Sequence, residues 1–376
     1  MNQTLAPAAP PPSVQPALFD VLARSWQLDA PVSSIVLDRA GKTTAFALAD
    51  GRIALMPLQD PDSALGRMRV EADSGRSTIR PREKPVAPPI LTEPLAEGAA
   101  FLVPSGVLGF VTGSRDGRLN RITPRGQVIA LTRKTEPLSA LASDGQGRLA
   151  IARDGQTSLH AEEGMERLFG LLTPGSAHAL AFAPDGQSVA VMTDHAVFLW
   201  QPGHRSSRHP LGGRQALTFS PDGNWLAAAQ DQGFWLLRLS DGRTARLGRF
   251  RATPATVAFS GAANAVFASG AFRVAGWSLA TPPFDDEATG ALRTGRPGLV
   301  LVERVAPHPA RDLIAFGMAD GAVSIAQVGQ ADEMALRHAD GAAITALVWS
   351  ADGTHLAIGT AQGDAALVTL PPQLFK

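Results

Sequence analysis

Histidine is the one side chain of this sequence worth testing as a ligand of a transition metal, because the chain contains no cysteine. Asp194, His195, His204 and His209 lie close together along the chain. His195 belongs to a predicted turn between two short strands, whereas His204 and His209 fall in the next connection, at the opposite rim. A strand of five or six residues separates its two ends by about 17–20 Å, which is too far for one ion. We therefore expect no metal site.

Motifs of covalent and nucleotide chemistry are also missing. The sequence has no G-x-S-x-G nucleophile elbow, so a serine hydrolase of that class finds no support. It has neither the phosphate-binding loop of nucleotide hydrolases nor a G-x-G-x-x-G after a strand. Short glycine pairs such as the one in DGQGR, residues 144–148, are typical of hairpin turns. We expect no cofactor and no catalytic residue, and a chain without cysteine has neither disulfides nor thiol nucleophiles.

The charge balance and the N-terminal sequence limit the classes of partner. The 376 residues carry 34 Lys and Arg against 34 Asp and Glu. Proteins that bind nucleic acid usually have a basic excess, so we expect no nucleic-acid partner. The first residues lack the basic and apolar regions of a secretory signal, and no stretch approaches the ~20 apolar residues that span a membrane. We therefore expect a cytoplasmic protein without a membrane span, and the prolines near its start predict a disordered tail over residues 1–18.

A repeat of about forty residues organises the rest of the chain. LAFAPDG at 180–186, LTFSPDG at 217–223 and LVWSADG at 347–353 are each an apolar strand followed by an Asp-Gly turn. A second and a third apolar run follow each of them. Weaker copies of this three-strand unit occur elsewhere, and the units begin near residues 33, 99, 138, 177, 215, 255, 302 and 344.

The repeat predicts an all-β protein, because its apolar runs are short and end at Gly, Asp or Pro. A period of about forty residues with four strands each is typical of a β-propeller blade. We predict eight four-stranded blades, with seven as the alternative. The last unit lacks its fourth strand, and residues 23–28 are expected to supply it and close the ring. Residues 19–376 would then form one propeller with an insertion at 59–98, in which Val70 marks the outer strand of the first blade.

The pattern resembles the WD-repeat family, in which a unit runs F-S-P-D-G, then L-A-x-G, then a turn Asp and a strand ending in Trp-Asp. ALTFSPDGNWLAAAQD at 216–231 matches the first half, and Asp194 with Trp200 matches the second. The Trp-Asp pair itself never occurs, so the chain is identified as a divergent member of bacterial type. The resemblance implies structural turn aspartates that brace the blades at Asp50, Asp116, Asp154, Asp194, Asp231 and Asp320.

The resemblance also implies a function. Members of the family generally bind protein segments on the face formed by the turns between second and third strands. Here these turns include the candidate partner-binding residues Arg52, Arg115, Arg153, His195, Phe272 and Arg273. We expect a non-enzymatic scaffold for a protein or peptide partner, present as a monomer or as a subunit of a hetero-complex. The alternatives are a propeller enzyme resembling lactonases or other hydrolases, with a carboxylate site in the central channel, and a structural subunit of an assembly.

Aromatic residues recur in the repeat. Phe182, Phe219 and Phe259 share one position of the first strand, and Trp349 occupies it in the last unit, so we expect them in the core between blades. Three further aromatic residues, Trp225, Phe234 and Trp235, are expected to face outward in part, because strand neighbours point to opposite sides. A half-exposed aromatic residue among them would be able to anchor a partner.

Overall fold

Short apolar runs that end at Asp-Gly turns fold into four-stranded antiparallel sheets, as the repeat predicts. The computed structural model describes residues 18–70, 77–80, 82–132, 136–201, 203, 204 and 206–375. Most of the predicted disordered tail, residues 1–17, lies outside the described residues, whereas Leu18 begins a short helix.

The first part of the chain holds α1 (Leu18–Leu22), β1 (Ala23–Gln27), β2 (Val32–Leu37), β3 (Thr43–Leu48), β4 (Ile53–Pro57), α2 (Ala64–Arg67), β5 (Met68–Val70), β6 (Ser77–Ile79), β7 (Ile90–Leu91), β8 (Phe101–Pro104), β9 (Phe110–Gly113), β10 (Leu119–Ile122), β11 (Val128–Thr132), β12 (Leu138–Ser143), β13 (Arg148–Arg153), β14 (Gln156–Ala161) and β15 (Arg167–Leu172).

The second part holds β16 (Ala179–Phe182), β17 (Val189–Met192), β18 (Val197–Trp200), β19 (Ser207–His209), β20 (Gln215–Phe219), β21 (Trp225–Gln230), β22 (Gly233–Arg238), β23 (Thr244–Leu247), β24 (Val257–Ser260), β25 (Ala265–Ala268), β26 (Val274–Ser278), β27 (Ala291–Thr294), β28 (Val302–Pro307), β29 (Leu313–Met318), β30 (Val323–Gln327), β31 (Glu333–Arg337), β32 (Ile344–Trp349), β33 (His355–Thr360), β34 (Asp364–Thr369) and a 3-10 helix (Pro372–Phe375).

Eight four-stranded sheets form the blades of a β-propeller, which confirms the predicted fold and blade number. Blade 1 consists of β2, β3, β4 and β7 from the inner to the outer strand. Blades 2 to 7 take the next strands in chain order, beginning with β8, and blade 8 consists of β32, β33, β34 and β1. Each inner strand contacts the inner strands of both neighbouring blades, and β2 contacts β32, so the ring is closed.

The ring is closed as predicted, by the N-terminal strand. β1 pairs antiparallel with β34, from Ala23 opposite Val368 to Gln27 opposite Asp364. β34 is buried along most of its length, and Leu28 at the end of β1 belongs to a cluster shared by blades 8 and 1. Blade 8 is therefore built from both ends of the described chain.

The insertion in blade 1 corrects one prediction. Val70 does not mark an outer strand, because β5 pairs with β6 in a separate two-stranded hairpin. The outer strand of blade 1 is β7, where Leu91 pairs with Ala54 of β4. The two residues of β7 follow a proline-rich segment, so no strand pattern is visible there in the sequence.

A buried ionic network holds the insertion against β1. The guanidinium of Arg24 donates to the carbonyl oxygens of Pro57 at 2.9 Å and Leu58 at 2.7 Å, and lies 3.8 Å from Asp60. Arg82 donates to both carboxylate oxygens of Asp60, at 3.1 and 2.6 Å. Burial alone would raise the pKa of Asp60, but the hydrogen bonds from Arg82 and the charge of Arg24 outweigh it, so the pKa lies below its ordinary value.

A buried carboxylate joins blades 2 and 3 in a similar way. Glu162 has no exposed surface, and it accepts hydrogen bonds from the backbone N–H of Gly106 at 2.8 Å and from Nε of Arg121 at 2.9 Å. The hydroxyl of Ser105 also donates to it. Glu162 follows β14, the third strand of blade 3. Nothing in the repeat pattern of the sequence distinguishes it from a solvent-exposed acidic residue.

The aromatic residues show that both faces of a blade are covered. Phe182, Phe219, Phe259 and Trp349 pack in clusters between blades, as predicted. The prediction that Trp225, Phe234 and Trp235 face outward is wrong, since they are 6%, 0% and 0% exposed. Successive side chains of a strand point to opposite faces of its sheet. In blade 5, the neighbouring blades bury both faces.

The buried ring of His308 joins blades 7 and 8 through hydrogen bonds at both of its nitrogens. Its Nδ1 accepts hydrogen bonds from the N–H groups of Ala310 and Arg311, both at 3.1 Å, and its Nε2 donates to the carbonyl oxygen of Gly353 at 3.2 Å. These contacts need the neutral ring, because a protonated Nδ1 cannot accept. Burial lowers the pKa of His308, and nearby Arg311 lowers it further, although Gly353 and Asp352 oppose the shift.

Stability should therefore fall as the pH drops from about 6.5, the unfolded value, through the lower folded pKa of His308. The unfolded chain binds the proton more readily in this window, so protonation favours unfolding. We expect the His308→Asn variant to show a smaller loss of melting temperature between about pH 7.5 and 5 than the wild type, because the amide oxygen still accepts but does not protonate. The exposed His204, changed to Asn, is the control and should leave the slope unchanged. Identical slopes in all three proteins would contradict this role of His308.

Candidate functional site

Two rims border the propeller, and they differ in which connections they carry. The upper rim is where the second strand of a blade turns into the third, and where an outer strand leads into the next inner strand. The lower rim carries the remaining turns. All six residues predicted to bind a partner lie on the upper rim, on blades 1, 2, 3, 4 and 6, so they share one face without forming one cluster.

Three of these residues already have contacts within the protein. Arg52 donates to Asp50 at 2.6 Å and to the carbonyl oxygen of Leu28 at 3.0 Å, across the seam between blades 8 and 1. Arg115 is exposed, and its guanidinium lies 5.8 Å from the ring centre of Phe101.

Arg153 is half-buried and bridges blades 2 and 3. It donates to the backbone oxygens of Glu136 and, at 3.4 Å, of Gly117. Burial lowers the pKa of Arg153, and Glu136 opposes the shift. A contact of Arg52, Arg115 or Arg153 with a partner stays a prediction.

The turn aspartates differ in what they contact. Asp50, Asp116 and Asp320 accept hydrogen bonds from backbone N–H groups two residues onward, at 3.1, 3.2 and 3.1 Å. In the described part of the chain, no hydrogen bond reaches the side chains of Asp154 and Asp231, which both lie on exposed turns. The bracing role is therefore supported by contacts at some of the six positions and remains a prediction at the others.

His195 and Asp194 border a groove of about 840 Å³ on the upper rim of blades 4 and 5. Asp194 lies 3.1 Å from Nε2 of His178 and 3.0 Å from Nε of Arg214. The contact with His178 is the main reason that the pKa of Asp194 is lowered, and Arg214 and His195 add to the shift.

The chain reaches Arg214 through Gly212 and Gly213, where a Cβ atom would come within 1.9 Å of the backbone oxygen of Asp194 and 2.5 Å of that of Ala229. Two glycines are needed here because the connection crosses the turns of blades 4 and 5 at close range.

The position of His209 corrects one sequence inference. It belongs to the outer strand β19, where it pairs with Val197, and so it lies towards the upper rim and not at the opposite one. Among the described residues, no group of three His, Asp or Glu side chains is arranged to hold a metal ion.

Two exposed apolar residues of the upper rim belong to blade 6 and its link to blade 7. Phe272 is 43% exposed, and Leu299, in the connection to blade 7, is 95% exposed. The N–H of Gly298 donates to the carbonyl oxygen of Phe272 at 2.9 Å, which holds the two side chains in neighbouring segments. Phe272 and Arg273 also line a groove of about 450 Å³ that extends to Trp277. The sequence predicted Phe272 and Arg273 but not Leu299.

Charge on the upper rim is strongly polarised, although the whole chain is neutral. The upper connections of blades 4 to 6, here called the basic sector, carry five arginines and two aspartates: Arg214, Arg249, Arg251, Arg273, Arg296, Asp194 and Asp231. The upper connections of blades 7, 8 and 1, the acidic sector, carry six carboxylates and one arginine: Asp29, Asp50, Glu93, Glu97, Asp320, Asp340 and Arg52.

The basic sector has cations that are free to bind. Arg249 and Arg251 are exposed, Arg273 is half-buried, and no acidic side chain of the described residues forms an ion pair with any of the three. By contrast, Arg52 in the acidic sector is paired with Asp50. A guanidinium without an internal partner binds carboxylates by charge-assisted hydrogen bonds. The basic sector therefore combines unpaired positive charge with exposed apolar side chains.

The eight inner strands offer little for the alternative of a channel enzyme. The acidic residue that they contain is Glu303, which lies 3.9 Å from Arg304. The two carboxylates that an acid–base pair requires are thus not found on these strands, all of which are described. No helix among the described residues is long and apolar enough to cross a membrane.

Comparison with known proteins agrees with this architecture. Residues 306–371 match the model of the anaphase-promoting complex subunit 4 WD40 domain. No curated relative matches the sequence. The C-terminal WD40 domain of Sif2 has a similar structure, with 14% identity and a TM-score of 0.61 over 92% of this chain and 98% of that one.

Two further structures are similar. The computationally designed protein Ika8 shares 15% identity, with a TM-score of 0.61 over 92% of this chain and 98% of the design. The β-propeller domain of Cps50 (Swd1) from Myceliophteria thermophila shares 10% identity, with a TM-score of 0.53 over 93% of this chain and all of that domain. The match of residues 306–371 to a WD40 model and the similarity to the WD40 structure support a WD-repeat β-propeller.

Proposed function

We propose that this protein is a non-enzymatic interaction scaffold whose basic sector binds an acidic segment of a partner protein. The observation that carries the proposal is the combination of Arg249, Arg251 and Arg273 with the exposed side chains of Phe272 and Leu299. Exposed leucine and phenylalanine in adjacent segments favour contact with an apolar side chain of the partner. The proposal includes the cytoplasmic location expected from the sequence.

The polarity of the rim suggests how the partner is oriented. Positive charge on blades 4 to 6 attracts an acidic segment, while the carboxylates of blades 7, 8 and 1 repel it. A segment with acidic residues at one end and basic residues at the other would cross the rim in one direction. Complementary charge of this kind mainly raises the association rate and excludes wrong partners, and the apolar contacts slow dissociation.

The test is a triple charge reversal, Arg249→Glu with Arg251→Glu and Arg273→Glu. We expect it to lower the yield of partners recovered from native lysate by at least about tenfold, since charge-assisted pairs contribute roughly 1.5–3 kcal/mol each. Recovery by the wild type should also fall as salt is raised.

A matched control changes the same amount of charge on the lower rim, with Arg39→Glu, Lys42→Glu and Arg125→Glu, all exposed. Partner recovery by this control should equal that of the wild type. Equal losses in both triple variants, or no loss in the upper-rim variant, would contradict the proposal.

A further inference from the structure

The perimeter of blades 1 to 3 exposes an unusual amount of apolar surface. Seven side chains of three consecutive outer strands form what we call the apolar belt: Ile90, Leu91, Val128, Ile129, Leu168, Phe169 and Leu172. Each is between 39% and 78% exposed. Val107 and Leu108, on the turn between β8 and β9 of blade 2, are exposed as well. Together these nine are most of the twelve exposed large apolar side chains of the described residues.

The belt lies on free strand edges. β7, β11 and β15 are terminal strands of their sheets, so within the described residues each has one side without a hydrogen-bonded neighbour strand. Neighbouring residues such as Val128 and Ile129 point to opposite faces, yet both are exposed. Both faces of these outer strands are therefore partly exposed, in addition to the free edge.

The other outer strands of the same protein differ in composition. β19, β23, β27, β31 and β1 each carry at least one charged residue: Arg208, Arg246, Arg293, Glu333, Arg337 and Arg24. β7 and β11 carry none, and β15 carries Arg167 at its first position. Charged residues on an edge strand prevent association with another strand. That protection is missing from β7 and β11, and on β15 it is confined to the first residue, Arg167.

The extent of the belt fits a protein interface. With about 200 Å² for a large side chain and the exposed fractions above, the seven residues present on the order of 700 Å² of apolar surface. The largest apolar patch of a typical monomer is about 300–600 Å², and a standard interface buries about 800 Å² per partner. Taken together, the three outer strands therefore present about as much apolar surface as one partner buries in a standard interface.

We propose that the apolar belt is the interface of a homodimer, in which β15 of one copy lies antiparallel beside β15 of a second copy. A two-fold interface brings the same surface of two copies together, so that surface must not repel itself by carrying charge of one sign. The exposed charges beside β11 and β15 are of both signs, with Arg125 and Arg167 against Glu163 and Glu166, so two copies of this surface do not carry one uniform charge. β15 is the longest of the three strands, and its Leu172 is the most exposed residue of the belt.

The dimer differs from the monomer or hetero-complex subunit favoured by the sequence, and it is independent of the proposed function. The belt lies on the perimeter, so both upper rims stay accessible in the dimer. Two basic sectors joined in this way would bind a partner with two acidic segments more tightly than one sector alone.

Sedimentation equilibrium of the full chain tests the proposal. We expect the wild type to be a dimer and the Phe169→Glu/Leu172→Glu variant to be a monomer, with a dissociation constant raised at least about 100-fold. Both side chains are exposed, so the melting temperature should change little. The matched control, Phe272→Glu/Leu299→Glu on the upper rim, should remain a dimer. A wild type that stays monomeric up to about 100 µM would overturn the proposal.

A second measurement places β15 at the two-fold axis. Because the chain has no cysteine, a single introduced thiol can form a disulfide only with a second copy. Under mild oxidation, Phe169→Cys should yield disulfide-linked dimers at low protein concentration, and Phe272→Cys should not. Equal yields from both variants, or capture of another protein by the belt while the wild type is monomeric, would show that the second copy is not the occupant.

Discussion

Deletion of residues 1–27 should abolish cooperative folding of the propeller. The deletion removes β1, which supplies the outer strand of blade 8, and exposes one edge of β34. It also removes Arg24, which anchors the insertion, and Leu22, which is 2% exposed in the core of blades 7 and 8. Leu22 alone contributes about 1.5–3 kcal/mol, and the lost strand pairing and the lost contacts of Arg24 add to this, against the 5–15 kcal/mol of a typical domain.

The measurement is thermal unfolding of the purified protein, followed by circular dichroism. We expect the truncated protein to aggregate or to melt without a sharp transition. Removal of residues 1–17 alone leaves β1 intact and is the control, for which we expect the wild-type transition. A synthetic peptide covering residues 18–30 should restore part of the transition. Wild-type melting of the 1–27 deletion would show that the ring does not depend on β1.

Replacement of Asp60 by Ala should destabilise the protein by about 3–5 kcal/mol, because the change leaves a buried charge without its partner. The Asp60 carboxylate is 4% exposed, and the guanidinium of Arg24 is 6% exposed. Arg24 cannot become neutral at accessible pH, so the cost falls on folding. We expect an intermediate loss of stability for Asp60→Asn, which keeps the shape of the side chain but removes its negative charge.

Denaturant unfolding gives the free energy for comparison. Asp332→Ala is the control, since Asp332 is 98% exposed in its pair with Arg296, and an exposed pair contributes at most about 1 kcal/mol. The double variant Arg24→Met/Asp60→Leu should recover part of the loss, because it removes both buried charges. If Asp60→Ala and Asp332→Ala had the same effect, the network around Asp60 would not stabilise the seam between blades 8 and 1.

The propeller and its number of blades could be predicted from the sequence because each repeat unit corresponds to one blade. The last unit has three strands where a blade has four, and this gap predicted that β1 pairs with β34. Val70 was assigned wrongly because β7 has two residues and follows prolines, which hide a strand pattern. Trp235 was assigned wrongly because the alternation rule assumes that one face of a sheet meets water.

The candidate site was predicted less completely. The turns between second and third strands identified His195, Phe272 and Arg273, which line the two upper grooves. Arg249 and Arg251 were missed because they lie in the link between blades 5 and 6, which has no repeat pattern. The topology supplies the missing rule: an outer strand and the next inner strand meet on the same rim as those turns. A search of the inter-blade links for arginines would have included them.

Site-specific photo-crosslinking tests the central claim, that the basic sector is the partner-binding surface. A benzophenone amino acid at position 272 reports contacts of the basic sector, and the same group at position 187, on an exposed lower turn, is the control. We predict a discrete crosslinked product from position 272 that disappears in the Arg249→Glu/Arg251→Glu background, and none from position 187. Products from position 187 with none from position 272 would contradict the account.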